Sequence, residues 1–396
     1  MPAESHLLNV FNWPDLNLAR GEGCWVWDDK GDKYLDCIAG IAVNALGHAN
    51  PILVKALTDQ ANKLWHTSNM FKVAGQETLA KKYTHSSFAD VVFFTNSGTE
   101  AIEGALKTVR KYHSANGHPE RVDIIGFQGS FHGRSYAAIN ASGNPSYLEG
   151  FGPKLPGYLN APYGDIEAVK KLVGPTTAGF IIEPVQGEGG VRTPPEGFLK
   201  ALRKLADDNG LLIIFDEVQS GAGRTGKLWA HEWEGVTPDV MAAAKGIGGG
   251  FPVGAFLATA EAAKGMTKGV HGTTFGGNPL AMAVANACWD EISKPEFLEH
   301  VRVASNQLGQ ALEGVKDRHP DLVVEVRGKG LLRGLKLKID PKPIQGKLRE
   351  RKVLVGVAGD NVLRLAPPLI IDEAQISQAV AAIDAVLAEQ MAQAGA

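Results

Sequence analysis

Residues 211–218 have the sequence LLIIFDEV, five apolar residues followed by two acids and a valine. Similar apolar runs precede this stretch at residues 91–95, 122–127 and 178–184, and each leads into a polar or glycine-containing loop. Continuously apolar strands that alternate with helices are typical of a parallel sheet covered on both faces. The loops at the carboxyl ends of such strands gather at one edge of the sheet, where ligands bind. The sequence therefore predicts an α/β fold with its site at that edge.

The overall composition excludes several classes of protein. The chain has 396 residues, 44% of them hydrophobic, and a net charge of −3. This charge argues against a large nucleic-acid or anionic-membrane surface, so neither partner is expected. No uncharged apolar stretch of about 18 residues occurs, and the start MPAESHLLNV does not resemble a secretory signal. Together with three cysteines, an odd and sparse set, these features favour a cytoplasmic protein.

A chain of this length is expected to form more than one domain. We predict that residues 46–285 form a large domain that carries the site. From Pro279 the chain becomes a long helical run to about residue 315, followed by short strands and a last helix. We therefore predict that residues 286–396 form a smaller α+β domain. Residues 1–45, an irregular arm and a hairpin, are expected to pack with that smaller domain.

Residues 241–259, MAAAKGIGGGFPVGAFLAT, place Lys245 between an apolar run and a glycine-rich turn. Two interpretations are open for such a lysine. It could be an ordinary surface residue beside a loop, or a partly desolvated amine able to form a Schiff base. This stretch by itself does not decide between them.

Residues 96–100, NSGTE, lie between a predicted strand and a predicted helix. Free amides at a helix N-terminus, with Gly98 allowing close approach and hydroxyls at Ser97 and Thr99, could cradle an anion such as phosphate. The alternative is a plain serine or threonine N-cap without a ligand.

Two further loops carry chemistry at strand ends. In SFHGR, residues 130–134, Phe131 could stack on a flat heterocycle and Arg134 could bind a carboxylate through its planar guanidinium. Asp216 ends an apolar strand and needs a partner, which a protonated ring nitrogen would supply. For the SFHGR loop, the alternative is a buried phenylalanine beside a solvated arginine. For Asp216, the alternative is a carboxylate held by loop amides or bound to a metal.

One motif is misleading. Residues 221–227, GAGRTGK, match the first seven positions of a phosphate-binding P-loop, but Leu228 stands where a magnesium-binding serine or threonine belongs. The loop also does not follow its strand directly. A nucleotide triphosphatase is therefore disfavoured, and no metal site is predicted.

Arg364 lies in an otherwise apolar strand and needs an acidic partner, and Glu188 in the GEGG loop is available. The remaining features point to one ligand that has a phosphate, a flat ring, a basic ring nitrogen and a carbonyl that an amine can attack. Pyridoxal 5′-phosphate (PLP) on a lysine, with an acid at its ring nitrogen, meets all four requirements.

The chain resembles the class III aminotransferases of fold type I from about residue 21 to the last helix. The motifs that carry the resemblance are YLDCIAGIAVNALGHANP, LWHTSNMF, FFTNSGTEAIEGALK, GSFHGRS, IIEPVQGEGGV, IIFDEVQSGAGRTGKLWAHE, AAAKGIGGGFPVGA and HGTTFGGNPLAMAVANA. The resemblance implies a PLP-dependent transferase whose large domain holds a mainly parallel, seven-stranded sheet. It also implies a homodimer with shared active sites.

The resemblance also implies residue roles. Lys245 would carry PLP as a Schiff base and move a proton, and Asp216 would hold the proton of the ring nitrogen. The other cofactor contacts that it implies are Ser97, Gly98, Thr99, Phe131, Glu217, Val218, Gln219 and Thr274 of the partner subunit. Arg134 and Thr273 would bind the substrate, and Glu188 and Arg364 would form a switch pair for its second carboxylate.

Within the class, GIAVNALGH and LWHTSN are most similar to the acetylornithine aminotransferases. The resemblance implies transfer of an amine from N2-acetyl-L-ornithine to 2-oxoglutarate, in arginine biosynthesis. Related donors remain alternatives: ornithine, succinylornithine, 4-aminobutyrate and succinyl-diaminopimelate. A non-catalytic PLP-fold protein is a more remote alternative, since Lys245 and Asp216 are both present. Ile102 and Phe11 depart from the residues common among relatives, which puts a substrate hydrogen bond from position 11 in doubt.

Overall fold

The structure, a computed structural model, describes residues 6–394. Its strands are β1 (Leu18–Glu22), β2 (Trp25–Asp28), β3 (Lys33–Asp36), β4 (Val91–Thr95), β5 (Asp123–Phe127), β6 (Tyr158–Ala161), β7 (Thr177–Ile182), β8 (Leu212–Asp216), β9 (Val240–Ala243), β10 (Gly254–Ala258), β11 (Val323–Lys329), β12 (Leu332–Leu337), β13 (Val353–Leu354), β14 (Gly356–Ala358) and β15 (Val362–Leu365). Its helices are α1 (Ala39–Ala42, a distorted turn), α2 (Pro51–Ala61), α3 (Ala74–His85), α4 (Gly98–Ala115), α5 (Tyr136–Ala141), α6 (Ile166–Leu172), α7 (Phe198–Asn209), α8 (Pro279–Ile292), α9 (Pro295–Arg318), α10 (Pro341–Glu350) and α11 (Glu373–Ala394).

The central sheet has seven strands in the order β4-β10-β9-β8-β7-β5-β6. Strand β10 is antiparallel to both of its neighbours, and the other pairings are parallel. The predicted α/β fold with a mainly parallel, seven-stranded sheet is confirmed. Strands β7, β8 and β9 are buried along their whole length, as their continuously apolar sequences predict. Asp216 therefore emerges at the carboxyl edge of the sheet from its most enclosed part.

Two four-stranded sheets lie outside the central one, with the orders β1-β2-β3-β13 and β11-β12-β15-β14. The predicted hairpin is present as β2 and β3, and β3 pairs in parallel with β13 near the C-terminal end of the chain. This pairing joins the N-terminal hairpin to a strand of the C-terminal region. The divisions at residues 45 and 285 stay predictions.

The long helical run predicted from Pro279 to about residue 315 is present, and it is divided into two helices. Helix α8 ends at Ile292, and α9 begins at Pro295. Proline lacks a backbone N–H and disfavours the helical conformation in the residue before it. Lys294, the N-cap of α9, accordingly has an extended ψ of 133°. Among residues 6–394, no helix is long and apolar enough to cross a membrane.

Candidate active site

A cleft of about 330 Å³ opens at the carboxyl edge of the central sheet. Eight of the predicted cofactor-contacting residues line it: Ser97, Gly98, Thr99, Phe131, Asp216, Val218, Gln219 and Lys245. They come from four separate strand ends, those of β4, β5, β8 and β9, which the sheet topology brings together. The lining also includes His132 and Glu183, which the sequence analysis had not assigned a role.

Lys245 lies one residue beyond the end of β9, after Ala244, and begins a short 3₁₀ turn, Lys245–Gly248. Its φ angle is +51°, in the left-handed region that non-glycine residues rarely adopt. Such strained residues concentrate at functional sites. Burial lowers the pKa of the Lys245 amine from 10.5 to about 8, although Glu188, Asp216 and Glu183 act in the opposite direction. Of the two interpretations of Lys245, a surface residue or a partly desolvated amine, the structure therefore favours the desolvated amine.

This lowered pKa predicts how the cofactor-free protein captures PLP. The neutral amine is the nucleophile, so the rate of covalent capture should rise with pH, with a midpoint near 8, and then level off. An ordinary lysine would show a rise continuing towards pH 10.5. Stopped-flow absorbance after mixing apoprotein with PLP measures this profile, and a midpoint above 9.5 would contradict the prediction.

Ser97 precedes α4 as its N-cap, and its Oγ accepts a hydrogen bond from the Glu100 N–H at 3.2 Å. The plain capping interpretation is thus correct, but the same residue also lines the cleft. Within residues 6–394, the N–H groups of Gly98 and Thr99 have no protein acceptor and remain free for an anion. A Cβ on Gly98 would lie 2.8 Å from Val218 Cγ1, so only glycine fits there.

Asp216 is buried and has two partners. Its Oδ1 accepts a hydrogen bond from the Val218 N–H at 3.0 Å, and its Oδ2 lies 2.7 Å from His132 Nδ1. The His132 Nε2 atom is buried and lacks a hydrogen-bond partner in the described part of the chain. The imidazole therefore backs the carboxylate from within the protein and holds its orientation.

Glu183 directly follows β7, whereas Asp216 is the last residue of β8, and both side chains are buried. Its carboxylate accepts hydrogen bonds from the N–H groups of Phe131 at 2.9 Å and Gly187 at 3.1 Å. Burial, reinforced by the nearby Asp216, raises the pKa of Glu183 to about 7. Glu183 thus fixes two of the loops that border the cleft. An acid that ends an apolar strand, the signal that identified Asp216, could have found it.

Glu217 does not line the cleft, in contrast to its neighbour Asp216. Its carboxylate accepts hydrogen bonds from the N–H groups of Ala230 and His231, at 2.9 and 2.8 Å, and from the Ser220 hydroxyl at 2.8 Å. Successive side chains along a strand point to opposite faces of the sheet. This alternation separates the carboxylates of Asp216 and Glu217. The structure gives Glu217 a loop-bracing position rather than a place beside the cofactor.

Arg364 and Glu188 form an ion pair, as their sequence context suggested. Gln219 joins them, because its Oε1 accepts from Arg364 Nη1 at 3.3 Å and its Nε2 donates to Glu188 Oε1 at 3.4 Å. Burial by itself would raise the pKa of Glu188, but the Arg364 guanidinium prevails and lowers it. A Cβ on Gly187 would lie 1.9 Å from Gln219 Oε1, so this position leaves no room for a side chain.

Like Glu217, neither Glu188 nor Arg364 is among the residues that line the cleft, and the three remaining predicted residues also lie outside it. Thr273 caps its own loop, since its Oγ1 accepts from the Gly276 N–H at 3.2 Å, and it lies 3.4 Å from Asn96 Nδ2. Thr274 is exposed and lines a separate small depression. Arg134 is exposed beside Phe131.

Comparisons with known proteins agree with this geometry. The profile of the family "Aminotransferase class-III" matches residues 9–387. Acetylornithine aminotransferase 1 of Bradyrhizobium diazoefficiens is 57% identical over 382 residues, covering 96% of this chain and 94% of that protein. The crystal structure of N-acetylornithine aminotransferase from Stenotrophomonas maltophilia has a TM-score of 0.84 at 36% identity, with 96% and 97% of the two chains covered. An ornithine aminotransferase structure from Toxoplasma gondii, with partial PLP occupancy at its active site, has a TM-score of 0.91 at 31% identity, covering 95% and 91%.

The chain belongs to the class-III aminotransferase family. It is a PLP-dependent transaminase, and the fold and cofactor predicted from its sequence are confirmed. The cleft fits PLP, since it combines a helix N-terminus with free N–H groups, a buried carboxylate and a lysine with a lowered pKa. Among residues 6–394, no group of three or more histidine, cysteine or acidic side chains could hold a metal ion.

Proposed function

We propose that this enzyme transfers the side-chain amine of N2-acetyl-L-ornithine to 2-oxoglutarate, giving N-acetyl-L-glutamate 5-semialdehyde and L-glutamate. The observation that carries the proposal is the Glu188–Arg364 pair, bridged by Gln219, whose charges act on Lys245. The two substrates differ by one carboxylate, so the site must offer a cationic group to one substrate and conceal it from the other. Relatives named as acetylornithine aminotransferases, at 52–57% identity over nearly the whole chain, support this choice of donor.

The residues of the cleft divide the work of the reaction. PLP, when bound, supplies a carbonyl for the amine and a ring that accepts the negative charge left at the reacting carbon. Asp216, held by His132, keeps a proton on the ring nitrogen. Lys245, a free amine once the substrate has taken its place, moves the proton at the reacting carbon. Its pKa of about 8 suits this general acid–base role near neutral pH.

Arg134 and Arg364 orient the substrates by binding their carboxylates. Arg134 would bind the α-carboxylate of acetylornithine through its guanidinium. Glu188 neutralises Arg364 while this donor, which has one carboxylate, is bound. When 2-oxoglutarate enters, its second carboxylate replaces Glu188 on Arg364.

A panel of amino donors tests the proposed function. Purified holoenzyme is assayed with 2-oxoglutarate and acetylornithine, ornithine, succinylornithine, 4-aminobutyrate or succinyl-diaminopimelate, and glutamate formation is followed. We expect acetylornithine to give the highest kcat/KM. A clearly higher value for unmodified ornithine or 4-aminobutyrate would refute the assignment of the donor.

Replacement of Glu188 by alanine should separate the two half-reactions. Without its acid, Arg364 stays charged and unpaired while the donor is bound, so the KM for acetylornithine should rise by roughly 10-fold. The KM for 2-oxoglutarate should stay within about 2-fold, because Arg364 remains available to it. Steady-state kinetics with each substrate varied in turn measures both values. Equal increases for the two substrates would contradict the switch.

We further propose that the enzyme is a homodimer with shared active sites. Trp65, Met70, Phe71 and Phe275 are 63%, 84%, 68% and 59% exposed, and large apolar side chains grouped in this way mark an interaction surface. The segments that carry them are joined, since Asn69 Nδ2 donates to the Thr273 carbonyl at 2.9 Å and to the Gly276 carbonyl at 3.2 Å. The exposed Thr274 in the same loop would then reach the cofactor phosphate of the second copy.

Charges placed on this surface should dissociate the dimer. The double variant Met70→Glu, Phe71→Glu is expected to sediment as a monomer and to lose PLP on dilution, because the Thr274 contact is lost. Analytical ultracentrifugation and cofactor absorbance measure the two effects. Val303→Glu is the matched control, since this valine is 47% exposed on α9, away from that surface. A monomeric wild type would refute the proposal.

A further inference from the structure

Arg134 has an unusual environment for an exposed arginine. Its guanidinium carbon lies 4.4 Å from the ring centroid of Tyr147 and 5.4 Å from that of Phe131. Within residues 6–394, the guanidinium makes no hydrogen bond or ion pair. The guanidinium thus contacts two aromatic rings, while its N–H donors remain free for a ligand in the described part of the chain.

The two rings form one unit. Phe131 and Tyr147 meet edge to face, with centroids 5.9 Å apart and an interplanar angle of 88°. This arrangement matches the quadrupoles of two aromatic rings. Phe131 lines the cofactor cleft, whereas Tyr147 is not among the lining residues. The ring that borders the cofactor cleft and the cation that would receive the substrate are therefore linked through Tyr147.

Tyr147 itself is held in place. It ends a 3₁₀ turn, Pro145–Tyr147, and its N–H donates to the Asn144 carbonyl at 3.1 Å. The Asn144 side chain caps the same turn by accepting the Ser146 N–H at 3.1 Å. Burial raises the pKa of Tyr147, against the opposing effects of Asn144 and Arg134. A half-buried ring on a capped turn is a firm support for a long, flexible side chain.

We propose that Tyr147 is a positioning residue for substrate binding. It holds the Arg134 guanidinium over its ring face, so that the guanidinium N–H groups are already oriented to bind a carboxylate. This inference rests on the proposed function, in which Arg134 binds the α-carboxylate. An arginine without such support would have to be ordered when each substrate binds, at a cost in affinity. A cation over an aromatic face is stabilised enough to change a binding constant by roughly 3- to 30-fold.

The test compares Tyr147→Phe with Tyr147→Leu in the holoenzyme. The phenylalanine ring keeps the cation–π contact, so the KM for both substrates should stay within about 2-fold of wild type. Leucine removes the contact, and both KM values should rise by roughly 5- to 10-fold while kcat changes little. Combined with Arg134→Ala, the leucine substitution should add no further loss, because Tyr147 acts through the arginine. Additive losses in the double variant would refute this route.

A second measurement is independent of turnover. Glutarate, a dicarboxylate without a reactive carbonyl, should bind the Tyr147→Leu holoenzyme more weakly by the same factor, as measured by calorimetry. Tyr158→Leu is the matched control, since it removes a similar pair with Arg110 at 4.7 Å on the edge strand β6. It should lower the melting temperature without altering glutarate binding.

The outcomes separate the two proposals. If the wild type does not use acetylornithine but Tyr147→Leu still weakens glutarate binding, the donor assignment fails and the positioning role stands. If the wild type uses acetylornithine and Tyr147→Leu leaves both the KM values and glutarate binding unchanged, only the positioning role is refuted.

Discussion

Replacement of Lys245 by alanine is expected to lower kcat by at least about 10³-fold, because it removes both the covalent anchor and the general acid–base. The lysine lines the cleft, and burial gives its amine a pKa of about 8. Its loss should also abolish the borohydride-trappable adduct between protein and PLP. Mass spectrometry of the reduced protein measures the adduct, and glutamate formation measures kcat.

The matched control for this variant is Lys264→Ala. Lys264 is an exposed lysine whose amine pairs with Glu261 at 2.5 Å, away from the cleft. It should keep wild-type activity and a full adduct. If Lys245→Ala retained the adduct at wild-type stoichiometry, the covalent attachment would have to lie on another lysine.

Replacement of Asp216 by asparagine should lower kcat by roughly 10²- to 10³-fold, the loss typical of removing one charge-stabilising group from an active site. Asparagine has the same shape and can still accept the Val218 N–H, but it cannot hold the proton of a cationic ring nitrogen by charge. His132, at 2.7 Å, would face a neutral amide in its place. PLP affinity should fall as well, because the charge pair with the ring is lost.

Kinetics at saturating substrate and PLP separates these two effects. Asp207→Asn serves as the control, since this aspartate lies on α7 with its side chain 64% exposed. A variant that kept more than about a tenth of wild-type kcat would contradict the assignment of Asp216 to the ring nitrogen.

Much of the fold could be predicted because its strands are apolar along their whole length. The run at residues 91–95 became β4 with the same bounds, and residues 211–218 contain β8. The antiparallel placement of β10 could not be read from its apolar sequence, since pairing direction depends on the neighbours. The boundary between α8 and α9 could have been read from Pro295.

The site could be predicted where one residue type has few other uses, as with Lys245 beside glycines or an acid after an apolar strand. The position of Glu217 outside the cleft could not be predicted. It depends on the face of the sheet to which the side chain points, and the sequence does not distinguish two adjacent acids in this respect. The contact of Tyr147 with Arg134 joins residues 13 positions apart, on either side of the short helix α5. No periodic pattern records such a contact, so only the three-dimensional structure shows it.

The left-handed backbone conformation of Lys245 destabilises the folded protein. A non-glycine residue at a φ of +51° costs roughly 1 kcal/mol or more, and glycine would remove that cost along with the buried amine. Laboratory evolution for heat resistance alone would therefore enrich glycine at this position and accumulate inactive protein. Any such screen must also select for activity, because the residue that gives the most stable protein at this position is not the residue that gives an active enzyme.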